Sequence, residues 1–282
     1  MQILISPQEL AAELGSADLV VVDCRFDLLQ PGAGLEAWQA GHIKGAFYAD
    51  LDNDLAAPVT ADSGRHPLPD PQTFAELLGA WGILPSTRVV AYDDAGGAIA
   101  ARLWWLLGWA GHTHVKLLDG GFSAWQAAGL PMDQSVPALQ QGTYPISPGS
   151  LPVITTDEVL SAGEQDALTL IDARDSRRFA GEVEPIDTRA GHVPGAVNRP
   201  FQANLDAAGR FLPVPQLRDE FAGLLNSAGQ NNVACMCGSG VTACHHLFAM
   251  QLAGLKPQAS LYVGSWSEWI RDPLRPCVPD EN

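Results

Sequence analysis

Cys237 opens the stretch Cys237-Gly238-Ser239-Gly240-Val241-Thr242, set between two apolar runs. Val233-Ala234-Cys235-Met236 before it predicts a buried strand, and Ala243 to Met250 after it, closed by Gly254, predicts a helix. A cysteine on a glycine-rich turn from strand to helix faces unpaired backbone N–H groups and the positive end of the helix dipole. Both favour a thiolate and an anionic substrate. A buried structural thiol needs no permissive backbone beside it, so Gly238 and Gly240 argue for a nucleophile.

Other chemistries fit these residues less well. Cys235, Cys237, Cys244, His245 and His246 fall close together, but a strand and a helix turn them in different directions, and no paired Cys-x2-4-Cys knuckle is present. No metal site is expected. A cysteine phosphatase needs an arginine closing the loop six residues after the nucleophile, and that position is Ala243. A Cys235–Cys237 redox switch would need Cys235 to leave a strand that points it away from the loop.

The elements that must hold Cys237 recur in the sequence. Val21-Val22-Asp23-Cys24-Arg25 matches Leu170-Ile171-Asp172-Ala173-Arg174 at an offset of 149, and Gly41-His42-Ile43-Lys44-Gly45-Ala46 matches Gly191-His192-Val193-Pro194-Gly195-Ala196 at 150. Leu117 to Trp125 matches Leu261 to Trp269 at 144. Ser6 with Glu9, and Thr155 with Glu158, read as capping boxes at the same helix start. The chain is a duplicated domain: residues 1–136, a Gln/Gly/Ser/Pro-rich linker over 137–152 in which Tyr144 and Ile146 can pin the chain, and residues 153–282. Short β-rich runs alternate with helical patterns in each half, which predicts an α/β fold with a central parallel sheet flanked by helices and ligands beyond the strands' carboxyl ends. Matching Val90-Ala91-Tyr92 with Val233-Ala234-Cys235 sets Asp94 opposite Cys237, so one half carries the thiol and the other does not.

Composition narrows the class. A chain of 282 residues can bury two cores, and a net charge of −16 argues against nucleic acid or an anionic membrane as partner. Five cysteines, odd in number, suit reduced thiols in the cytoplasm. No apolar run reaches membrane-spanning length, and the first residues carry no basic leader.

Two halves with Asp-x-Arg and Gly-His-x-x-Gly-Ala, then Cys-Gly-Ser-Gly-Val-Thr and Gly-Ser-Trp-x-Glu-Trp, resemble a two-domain rhodanese-type sulfurtransferase. The resemblance implies two tandem rhodanese-like domains, the first inactive. It implies that Cys237 becomes a persulfide and passes sulfur from a small anionic donor to cyanide or to a thiol acceptor such as thioredoxin or a small thiol, with no cofactor. Loop N–H groups from Gly238, Gly240, Val241 and Thr242 would stabilise the charged sulfur. The uncharged loop is similar to that of the 3-mercaptopyruvate sulfurtransferases, with thiosulfate as the alternative donor. In that subgroup Ser239 would join His66 and an acid, Asp52 or Asp50, in a relay. Arg178 matches the arginine for the donor carboxylate. The family's second arginine follows Glu-Pro directly. Here Ile186 follows Glu184-Pro185, which leaves Arg189 as the neighbouring substitute.

Overall fold

The computed structural model describes residues 2–165, 167–228, 232–255 and 259–278. The chain forms two units: Met1–Ala57 with Leu68–Ser150 and Asp206–Phe211, and Pro58–Pro67 with Leu151–Leu205 and Leu212–Asn282.

The first unit runs β1 (Leu4–Ile5), α1 (Pro7–Glu13), β2 (Leu19–Asp23), α2 (Ala33–Ala40), β3 (His42–Ile43), β4 (Phe47–Tyr48), α3 (Pro71–Ala80), β5 (Arg88–Tyr92), α4 (Ala100–Trp109), β6 (Val115–Leu118), α5 (Gly121–Ala127) and β7 (Met132–Asp133). Its sheet is parallel in the order β1-β6-β5-β2-β4, with β3 and β7 as a separate antiparallel pair. The second runs β8 (Val153–Ile154), α6 (Thr156–Glu164), β9 (Leu168–Asp172), α7 (Ser176–Phe179), β10 (Val197–Asn198), α8 (Val214–Ala228), β11 (Asn232–Met236), α9 (Ala243–Leu252), β12 (Ser260–Tyr262) and α10 (Ser265–Trp269). Its parallel sheet has the order β8-β12-β11-β9-β10, the same winding strand for strand. Both capping boxes form: Ser6 and Thr155 each accept from the backbone N–H three residues on, and Glu9 and Glu158 reach back.

The two cores use the same positions. Val21, Val90, Tyr92, Phe122 and Trp125 cluster in the first, and Leu170, Ala234, Met236, Tyr262, Trp266 and Trp269 in the second. Beneath each sheet end lies a buried ion pair. Arg25 binds Asp23 and donates to Gly41 O at 2.8 Å, and Arg174 binds Asp172 and donates to Gly191 O at 2.9 Å. Each guanidinium also covers an aromatic ring, Phe122 or Trp266. The motif histidines stack on neighbouring rings, His42 on Trp38 and His192 on Phe179. The segment 137–150 follows the first unit: Tyr144 is buried and its N–H donates to Ala75 O at 2.9 Å.

Strand register corrects one expectation. Asp23 pairs with Tyr92, and its counterpart Asp172 pairs with Met236, so β11 follows β5 at an offset of 144. Phe122 N donates to Asp93 O just as Trp266 N donates to Cys237 O. Asp93, not Asp94, therefore stands at the cysteine position. The helices that follow begin at Ala100 and Ala243, an offset of 143. The first loop is thus one residue longer, and matching the loops by their glycines hides the shift.

Candidate active site

Cys237 leaves the carboxyl end of β11 and is 2% exposed. Four residues from β12 into α10, Tyr262, Ser265, Trp266 and Ser267, fix its backbone. Ser265 Oγ accepts from Cys237 N at 3.1 Å and donates to Tyr262 O at 2.8 Å. Trp266 N and Ser267 N donate to the carbonyls of Cys237 and Gly238, at 3.0 and 2.9 Å. Ser265 holds φ +51°, a left-handed conformation costly for a side chain other than glycine; the matching residue of the first unit is Gly121. Gly240 is required twice over: its φ is +78°, and a Cβ there would lie 2.5 Å from Val263 O.

The loop turns one N–H group towards the sulfur. Ser239 N approaches Cys237 Sγ at 3.5 Å. The first unit shows what such a loop does with a fixed charge. There the Asp93 carboxylate accepts from Ala95 N at 2.9 Å and from Gly97, Ile99 and Ala100 N at 2.8 Å each. Four converging N–H groups make an anion cradle, and Cys237 occupies the equivalent centre of the second. Gly238, Val241 and Thr242 belong to the second loop, and Thr242 occupies the N-cap position of α9 without a side-chain capping bond.

His66 Nδ1 lies 2.7 Å from Ser239 Oγ, a hydrogen bond within the second unit, since Pro58–Pro67 belongs there. Asp52 belongs to the first unit, where burial and then the neighbouring Asp50 raise its pKa above the usual carboxylate value. The alternative acid, Asp50, closes its own turn: its Oδ1 accepts from the backbone N–H of Asp52 and Asn53 at 2.9 and 3.0 Å.

Arg178 and Arg65 flank the loop. A Cβ on Gly238 would lie 2.8 Å from Arg65 Nη2 and 3.7 Å from Arg178 Nη1. Arg178 donates to Glu184 at 2.8 Å and to Asp187 at 3.0 Å, and Arg65 pairs with the other oxygen of Asp187. Burial raises the Asp187 pKa, and Arg65 opposes it. Arg189 is directed elsewhere, with Nη1 donating to the carbonyls of Arg275 and Pro273 at 3.0 and 3.4 Å. Its guanidinium ties down the segment after α10 and is not the partner of Arg178. Arg65, beside His66 in the same short segment, was visible in the sequence as Gly64-Arg65-His66-Pro67. Nothing in the spacing tied it to a position so far along the chain.

The thiols and histidines nearest Cys237 in sequence, Cys235, Cys244, His245 and His246, are buried in the scaffold. Cys244 Sγ donates to Gly240 O at 3.3 Å, and burial pushes the Cys235 thiol pKa up. Asn204 Nδ2 donates to Nδ1 of both His245 and His246, and His246 Nε2 donates to Arg199 O at 2.6 Å. Burial brings the His246 pKa down to about 3, so it stays neutral. Among the described residues, no three His, Cys, Asp or Glu side chains converge as metal ligands.

The model of the rhodanese-like domain matches this chain twice, over residues 6–128 and 155–272. A probable 3-mercaptopyruvate sulfurtransferase of Pseudomonas aeruginosa is 50% identical over 98% of this chain and 97% of its own length. A putative thiosulfate sulfurtransferase, SseB, of Mycobacterium tuberculosis is 37% identical over 98% of this chain and 96% of its own. Among solved structures, the 3-mercaptopyruvate sulfurtransferase of Leishmania major superposes with a TM-score of 0.81 at 32% identity, over 97% of this chain and 76% of that one. SseA of Escherichia coli superposes with a TM-score of 0.79 at 28% identity, over 95% of this chain and 100% of that one. The repeated fold, the two domain matches and the full-length likeness to enzymes of one kind agree: the chain belongs to the rhodanese family of sulfurtransferases.

Proposed function

We propose that the chain moves a sulfane sulfur from 3-mercaptopyruvate to a thiol acceptor or cyanide through a persulfide on Cys237. The observation that carries this reading is the uncharged Cys237–Thr242 loop with Arg178 and Arg65 at its edge. The Cys237 thiolate attacks the donor sulfur, the donor's carbon–sulfur bond breaks, and its electron pair leaves on the enolate of pyruvate, which takes up a proton. An acceptor thiolate then attacks the outer sulfur, leaving an acceptor persulfide and restoring the Cys237 thiolate. Loop N–H groups, arranged as the four that hold Asp93, stabilise the charged sulfur in both steps. The hydrogen bond between Ser239 and His66 supports their place in a proton relay at the donor, with Asp52 as the proposed acid. Five free thiols suit a reducing cytoplasm.

Cys237→Ser is expected to abolish transfer from every donor while the urea midpoint stays close to wild type; turnover in that variant would sink the persulfide reading. kcat/KM for 3-mercaptopyruvate against thiosulfate, with one acceptor thiol, decides the donor. A large thiosulfate advantage makes thiosulfate the substrate.

A further inference from the structure

We infer that Ser267 is a positioning residue for the donor half-reaction, a clasp that sets the distance between His66 and Ser239. This rests on the proposed relay. Ser267 acts through the residue before each member of the pair. Its backbone N–H donates to Gly238 O at 2.9 Å, next to Ser239, and its Oγ accepts from Arg65 N at 3.0 Å, next to His66. Across this clasp His66 Nδ1 and Ser239 Oγ stand 2.7 Å apart. The Ser267 hydroxyl also donates to Gly264 O at 3.4 Å, so it cannot swing away from Arg65 without giving up a second bond. Ser267 is buried, where a lost partner is not readily replaced by water.

The segment carrying His66 lies close against this residue. Pro58–Pro67 belongs to the second unit, and a Cβ on Gly64 would lie 2.5 Å from Gly264 O and 3.0 Å from Ser267 Oγ, so the approach requires glycine. Arg271 adds a second tie, with Nε donating to Ser63 O at 3.1 Å. The duplication supplies a comparison. Ser123 follows Gly121 by two residues just as Ser267 follows Ser265, yet Ser123 is exposed. The same serine thus lies bare in the first unit and beneath the His66 segment in the second. Proton transfer between side chains needs heavy atoms roughly 2.6–3.2 Å apart, and a misplacement of about 1 Å costs on the order of 100-fold in rate. A hydrogen bond that fixes the two backbones therefore bears directly on the relay.

The test follows formation of the Cys237 persulfide by mass at saturating 3-mercaptopyruvate, and then its discharge to a small thiol, in Ser267→Ala, His66→Ala and the double variant. His66→Ala is expected to slow loading about 100-fold or more. Ser267→Ala should slow it roughly 10-fold in the wild-type background and not at all in His66→Ala, because it acts only through that side chain. Discharge should keep its wild-type rate, and Ser267→Thr, which keeps the hydroxyl, should restore loading. Gly64→Ala pushes the segment away with Ser267 intact, so it reads the same coupling even if Ser267→Ala does not fold; its loss should also vanish in the His66→Ala background. Unchanged loading in Ser267→Ala or Gly64→Ala, a loss as large without His66 as with it, or slowed discharge overturns the inference and leaves the persulfide route standing. If the wild-type protein takes no sulfur from 3-mercaptopyruvate, or His66→Ala loads at the wild-type rate, the donor or the relay fails and the clasp with it.

Discussion

Ser265 shows how a single residue trades backbone strain for position. At φ +51° it occupies a conformation that its counterpart Gly121 adopts without cost, yet its hydroxyl accepts from Cys237 N and donates to Tyr262 O. Removing the hydroxyl leaves two buried polar groups short of a partner, about 1–3 kcal/mol. Keeping a Cβ there costs roughly 1 kcal/mol more than glycine. Ser265→Ala should therefore be less stable than Ser265→Gly in urea unfolding, the reverse of the usual ranking of alanine and glycine. Equal midpoints for the two would show that the strain carries no weight. Residue-scale chemistry was legible in the sequence where it was local. Cys237 between its glycines stood out, whereas Ser265 and Ser267 reach it across a turn, and Arg65 joins Arg178 only through Asp187.

At the scale of elements, α9 explains why a cysteine loop needs a polar floor. Residues Ala243 to Met250 are all buried, so this stretch of the helix has no solvent face on which to place His245 and His246. Asn204 satisfies both rings, and its Oδ1 accepts in turn from Arg199, whose guanidinium covers Phe221. His246 is held neutral with a pKa of about 3 against an unfolded value near 6.5. Between these two values the unfolded chain binds the extra proton, so stability falls as pH falls, by up to ~1.4 kcal/mol per pH unit from this group. It is fully present above pH ~6.5. His246→Gln should flatten that slope between pH 6.5 and 4 in urea titrations, whatever it costs at pH 7. A slope unchanged from wild type would place the acid sensitivity elsewhere. The apolar run announced a helix, but nothing in it announced Asn204, which comes from a 3-10 turn after β10.

On the scale of the whole chain, the duplication was readable because capping boxes, strands and the paired tryptophans recur in order. Both sheets repeat one strand order, and Trp125 and Trp269 fill the same core site. The loop was harder to read. A strand offset of 144 changes to a helix offset of 143 within it, and glycine is too common there to reveal the change. Unit membership was also hidden. Pro58–Pro67 and Asp206–Phe211 are polar, turn-rich segments, and their unit follows from backbone contacts that no periodicity encodes.

Asp93 gives the first unit an unusual thermodynamic status: its ligand is part of the chain. Four N–H groups that would otherwise compete for a dissolved anion are saturated at every concentration, so the stabilisation a free ligand supplies by mass action is built in and cannot be diluted away. Asp93→Ala should cut the tether, costing about 1–3 kcal/mol, and turn the loop into a receptor for small carboxylates. Formate should then raise the melting temperature of the variant well beyond its effect on the wild-type protein, and equal responses of the two would refute the idea. In the second unit the corresponding position is the thiol of Cys237, and no carboxylate is tethered there at the centre of the loop.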